Sequence, residues 1–236
     1  MLTLGGAPEA LLASVHDVAL ATLGLVDLRA HRGVHPRIGA LDVVPFAPPE
    51  EGPLEGALVA REAALSVLGS LGLPCFRYGP LPDGTTRSLP EVRRDAFGRL
   101  SPDAGPRAPH PTAGAVAVGA RQPLLAWNAW LSGATLPQAR ALAARLRSDH
   151  VRALGLPVRE GTQVSCNLLD PARMTPAMVL ERLCSLLPAG TRVERCELVG
   201  LAPDAVLRAV PNDRWRELGL SEASSVSGRL AELRLA

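Results

Sequence analysis

The chain has 236 residues, enough for one large core or two of ordinary size, and its organisation reads as two lobes. A formal net charge of +2 with 20% charged residues excludes a disordered polyelectrolyte and an electrostatically driven nucleic-acid binder. All 25 basic residues are arginine, so neither a Schiff-base lysine nor a Walker-type phosphate loop is available.

In chain order, Pro8 to Leu28 repeats apolar residues at helical spacing behind a proline and predicts a helix packed along one face. The next stretch, HRGVHPRIGALDVVPF from His31 to Phe46, is too rich in glycine and proline at its start for a helix or strand. A second amphipathic helix is predicted from Pro53 to Leu71, then a short strand over LPCFRYG and a short helix within LPEVRRDAFGRL. GPRAPHPTAG, Gly105 to Gly114, carries three prolines and two glycines and predicts irregular backbone. AVAVGA and PLLAWNAWLS read as strands with a lobe boundary near Ala120, and a third helix is expected from about Leu136 to Leu154. TQVSCNLLD alternates, with Gln163, Ser165 and Asn167 on one side and Val164, Cys166 and Leu168 on the other. TPAMVLERLCSLL predicts a helix, RVERCELVG a strand, and APDAVLRAV a helix with Asp204 in its first turn. The fold class expected is α+β, with helices covering mixed sheets.

Cys75, Cys166, Cys184 and Cys196 form no Cys-x-x-Cys pair and lie in apolar contexts, so they read as buried reduced thiols. No basic-then-apolar leader opens the chain and no apolar run reaches spanning length, so a cytoplasmic protein with no membrane partner is expected. His31 and His35 have the four-residue spacing of a helical metal pair, but Gly33 and Pro36 break the helix that would need, and no metal is expected. His35 is either structural or a fixed imidazole able to move protons near neutral pH. Arg37 and Asp42 form a surface ion pair or else orient His35 and hold a carboxylate. The loop at 105–114 is a connector or a rigid support for a flat ligand. In WNAWL, Asn128 and Trp130 share one face and Trp127 takes the other.

HRGVHPRIGALDVVPF resembles the H-[RK]-G-E-H-P-R-[MI]-G-A-x-D-V-x-P-F signature of the glutamate formimidoyltransferase family, whose formiminotransferase domain stands alone in bacteria and is fused to a cyclodeaminase in animals. The similarity continues in order through LPCFRYG, RSLPEVR, DAGP, AVAVGAR, WNAWL, QVSCNLLD and ELVGLAP, from Pro8 to about Val210. The resemblance implies two α/β sandwich lobes of ferredoxin-like topology: an N-terminal subdomain over 1–120 that lacks the family's first strands, and a C-terminal subdomain over 121–236. It implies an enzyme, a homodimer, that moves a formimidoyl or formyl group between N-substituted L-glutamate and N5 of the co-substrate tetrahydrofolate, in histidine degradation and one-carbon metabolism.

On the same resemblance His35 is the catalytic residue. The folate loop is Gly105, Pro106, Arg107, Ala108, Pro109, His110, Pro111, Thr112, Ala113 and Gly114. Arg37, Asp42, Arg121, Asn128, Gln163 and Asn167 are candidates for holding substrate, since arginine pairs bidentately with the glutamyl carboxylates that both substrates carry. Four positions depart from the pattern: Val34 replaces a glutamate, Pro109 and Ala113 replace aromatic residues, and Trp130 replaces an asparagine. Val34 and the missing first strands favour the alternative, a non-catalytic relative that binds folate or another protein, whereas the intact His35-Pro36-Arg37 favours the enzyme.

Overall fold

The computed structural model describes residues 1–159 and 161–234. Two compact units emerge. The first comprises Leu4–Pro48 and Gly52–Arg121, and the second Met1–Thr3, Pro49–Glu51 and the chain from Gln122 onward.

The first unit contains α1 (Pro8–Leu25), β1 (Val43–Phe46), α2 (Glu55–Ser70), β2 (Cys75–Pro80), β3 (Thr86–Arg87), α3 (Leu89–Asp95) and β4 (Val116–Ala120). Its sheet has the order β1-β4-β2-β3 and is mixed: β1, β4 and β2 run parallel, and β3 returns antiparallel to β2. Period-two alternation along β4 sends Val116 and Val118 toward α1 and α2, where they join Val15, Ala19, Phe46, Leu65 and Leu68. Ala115 and Ala117 point the other way, against Phe76, Tyr78 and Val92 of α3. Gly119 stands opposite Tyr78, and a Cβ there would lie 2.2 Å from the tyrosine ring, so glycine lets the ring cross β4. A capping box fixes the start of α3: Glu91 N–H donates to Ser88 Oγ, and Ser88 N–H to the Glu91 carboxylate at 2.6 Å. The first helix stops at Leu25 rather than Leu28, because Val26 is already extended at φ −116°, ψ 119°.

The second unit contains β5 (Leu125–Ser132), α4 (Leu136–Leu146), β6 (Val151–Val158), β7 (Gly161–Leu168), α5 (Pro176–Leu186) and β8 (Arg192–Leu198), followed by α6 (Asp204–Arg208), α7 (Trp215–Leu218) and α8 (Val226–Arg234). Its sheet order, β6-β7-β5-β8, is that of a ferredoxin-like βαββαβ unit, antiparallel throughout. Leu125, Trp127, Ala129 and Leu131 alternate into a core shared with α4 and α5, and Trp127 is fully buried with its indole N–H on the Leu218 carbonyl at 2.8 Å. The expected helix over 136–154 is really a helix and a strand. Arg147 turns extended (φ −58°, ψ 138°), and Val151 and Ala153 then alternate into the core. Gly155 brings β6 against α4, since a Cβ there would meet the Arg140 nitrogen at 2.3 Å.

Of the four cysteines expected in the interior, Cys75 and Cys166 are buried and Cys196 is half-buried, but Cys184 is exposed on α5. Burial pushes the Cys75 and Cys166 thiols up to about 12. Among the described residues, no helix is long and apolar enough to cross a membrane.

Candidate active site

Two irregular segments, 31–42 and 105–114, enter the neighbouring parallel strands β1 and β4 from the same end of the sheet. Main-chain contacts knit them together. Ala115 N–H donates to the Ile38 carbonyl at 3.0 Å, Ala40 N–H to the Ala113 carbonyl at 2.9 Å, and Leu28 N–H to the Thr112 carbonyl at 2.8 Å. The approach requires two glycines: a Cβ on Gly39 would lie 1.7 Å from the Ala115 oxygen, and Gly114 has φ +70° with the Ile38 oxygen 2.3 Å from where its Cβ would be.

Within the first segment His35 is exposed, and its Nδ1 lies 3.1 Å from the Pro36 carbonyl oxygen. A carbonyl only accepts, so in the neutral ring Nδ1 carries the proton and Nε2 the lone pair. Val34, beside it, is 62% exposed, so an apolar side chain faces solvent where the family pattern has a carboxylate. Arg37 folds back on its own segment, with Nη2 donating to the His31 carbonyl at 2.7 Å and Nη1 to His31 Nδ1 at 2.5 Å.

The expected Arg37–Asp42 pair does not form. Asp42 takes Arg93 of α3 instead, at 2.5 Å from Oδ2, while its Oδ1 accepts from Ile38 N–H at 2.8 Å. Arg93 also donates to the Pro36 carbonyl, the same oxygen that holds His35. Sequence reading missed Arg93, because an arginine beside Arg94 at a helix end looks like a solvated charge. Asp42 has φ +46°, a left-handed conformation uncommon for a residue with a side chain.

The 105–114 loop braces itself. His110 and Gly114 exchange backbone hydrogen bonds of 2.8 and 2.9 Å, and His110 Nδ1 accepts from the N–H groups of Ala113 (3.1 Å) and Thr112 (3.3 Å). Gly105 through Pro109 lie exposed along this braced turn. Arg121 sits at the opposite end of β4, its N–H on the Phe46 carbonyl at 3.1 Å and its side chain hydrogen-bonded to the Tyr78 phenol. Burial raises that phenol's pKa, and the cations Arg121 and Arg93 oppose the rise.

Asn128, Gln163 and Asn167 belong to the second unit. Strand register places Trp130 beside Gln163 and Asn128 beside Ser165 on the sheet face away from Trp127, with Asn167 one row further along. Gln163 is buried, flanked in register by Trp130 and Leu156. The Arg195 guanidinium stacks 3.8 Å from the Trp130 ring centroid, and the Trp130 indole N–H reaches Glu197 at 3.0 Å. Among the described residues no three His, Cys, Asp or Glu side chains gather as a metal site.

One unit with a mixed sheet that presents the exposed His35 imidazole, and one antiparallel βαββαβ unit, define an α+β protein of two sheet-and-helix lobes. Residues 1–121 match the family model described as the formiminotransferase domain, N-terminal subdomain. The chain belongs to this family, that of the glutamate formimidoyltransferases. It is similar to the glutamate formimidoyltransferase of Streptococcus pyogenes, 31% identical over 77% of this chain and 67% of the relative. The Thermoplasma acidophilum protein of the same name is 31% identical over 79% and 68%. It is also similar to the formimidoyltransferase-cyclodeaminase of Sus scrofa, 34% identical over 85% of this chain but only 42% of that longer protein.

Proposed function

We propose that this chain transfers a formimidoyl group from N-formimidoyl-L-glutamate to N5 of tetrahydrofolate, with His35 as the proton carrier. The observation that carries the reading is the His35 imidazole, exposed and held by the Pro36 carbonyl with Nε2 free to accept. In the transfer, a bond forms between the acceptor nitrogen and the amidine carbon, and the bond from that carbon to the glutamate nitrogen breaks. Nε2 takes the proton that the acceptor nitrogen loses and returns it to the departing glutamate amine, so no net proton is consumed.

The 105–114 loop suits a planar pteridine. Its proline rings and peptide faces are exposed, and the His110 and Gly114 bonds set its shape before a ligand arrives, which spares the cost of ordering it. The guanidinium of Arg121 is a candidate for a glutamyl carboxylate, as are the amides of Asn128, Gln163 and Asn167. Arg37, folded onto His31, would have to turn outward to do the same, and its present role is to hold the segment.

The test is tetrahydrofolate-dependent release of glutamate from formimidoylglutamate, with His35→Ala beside the parent. The parent is expected to turn over and His35→Ala to lose roughly 10²- to 10⁴-fold in kcat, the usual worth of a general acid-base group. A parent that binds tetrahydrofolate but releases no glutamate would sink the reading.

A further inference from the structure

We infer that Arg93 is a positioning residue for His35, acting through the Pro36 carbonyl and Asp42; this rests on the proposed role of His35. The Pro36 oxygen has two lone pairs, and two donors meet it: His35 Nδ1 and an Arg93 guanidinium amine. The carbonyl that selects the imidazole tautomer is thus itself pinned from outside its segment. The other guanidinium amine holds Asp42 Oδ2, and Asp42 Oδ1 holds Ile38 N–H, so one arginine fixes the segment on both sides of Arg37.

Arg93 can do this because α3 is rigid. The Ser88–Glu91 box fixes its first turn, and Val92 is buried in the sheet face with Phe76 and Tyr78. Its neighbour Arg94 instead pairs with Asp95, at 2.9 Å on the surface.

Two local costs converge on the Arg93–Asp42 pair. Among the described residues, Arg93 Nε is the buried side-chain polar atom found without a hydrogen-bond partner, and Asp42 is held in the left-handed region. An ion pair present only for stability gains nothing from an orphaned N–H and a strained backbone, whereas strain kept beside a reactive group marks a segment held for its geometry. The orientation of the imidazole is what the pair secures.

The test uses the full chain with Arg93→Met, Arg93→Lys and Asp42→Asn, reading kcat, KM for both substrates, and the His35 tautomer by ¹⁵N NMR of the free protein, with His35→Ala assigning the signal. The parent should show the Nδ1–H form. Arg93→Met should admit the Nε2–H form and lower kcat roughly 10²-fold, as expected for a misplaced reacting group, with KM little changed. Arg93→Lys should recover part of both, because an ammonium reaches one of the two acceptors but not both. If Arg93→Met does not fold, Arg93→Lys and Asp42→Asn carry the same comparison. An unchanged tautomer and kcat in the variants, or an Nε2–H parent, would overturn the inference. A parent with the Nδ1–H form that the variants lose, but with no transferase activity, would uphold the positioning and refute only the proposed reaction.

Discussion

Replacing Gly39 by alanine strikes the seam between the two candidate loops directly. The added carbon would lie 1.7 Å from the Ala115 oxygen and 2.9 Å from the Ala113 oxygen, both backbone atoms that no rotamer change can move aside. The segments must separate, and the hydrogen bonds from Ala115 N–H to Ile38 and from Ala40 N–H to Ala113 go with them. At about 1 kcal/mol each, these losses cost roughly 2 kcal/mol. For a protein of this size that is a fall in Tm of about 4–8 °C. Differential scanning fluorimetry reads the stability, and the glutamate-release assay reads the placement of His35, which the same separation disturbs. A Gly39→Ala protein with the parent's Tm and kcat would show that the seam neither stabilises the unit nor positions the imidazole.

Gly56, in the exposed first turn of α2 with open space around its missing Cβ, is the control: Gly56→Ala should raise stability by about 0.5–1 kcal/mol, seen as a higher Tm. Iodoacetamide at about pH 8 should modify Cys184 first, because thiolate fraction and access set the rate. Cys75, Cys166 and Cys196, buried or half-buried and raised to about 12, should react only after unfolding; mass spectrometry of the labelled chain checks the order. The Glu62 carboxylate is held below its ordinary 4.5 chiefly by Arg77, at 2.7 Å, and further by Arg61. A lowered folded-state pKa gives stabilisation that is full above 4.5 and lost as pH falls through the lowered value. Tm should therefore drop less steeply between about pH 5 and pH 3 in Glu62→Gln than in the parent, and equal slopes would contradict the assignment.

Most of the fold was legible because its elements obey simple periods. The alternation of TQVSCNLLD placed Val164, Cys166 and Leu168 in the core, and WNAWL correctly divided Trp127 from Trp130. The strand at Val151–Val158 was lost because its apolar residues continue the rhythm of the helix before it, and only the turn at Ser148 separates them. The candidate site was legible in part. His35 and the 105–114 loop stand out by composition and motif, but Arg93 lies more than fifty residues from the Pro36 and Asp42 groups it holds, and no local pattern announces a contact of that span. Asp42 also gave no warning of its left-handed backbone, since neither a glycine nor a turn motif marks it.

The seam between residues 38–40 and 113–115 consists of peptide groups alone, with glycine or alanine at all but Ile38. Surface residues such as Arg107, Ala108 and Pro109 can therefore be exchanged without dragging the His35 segment out of register. Under the proposed function, such an arrangement lets a scaffold retune which acceptor it welcomes while its chemistry stays put, and it makes those three sites the natural place to begin altering selectivity.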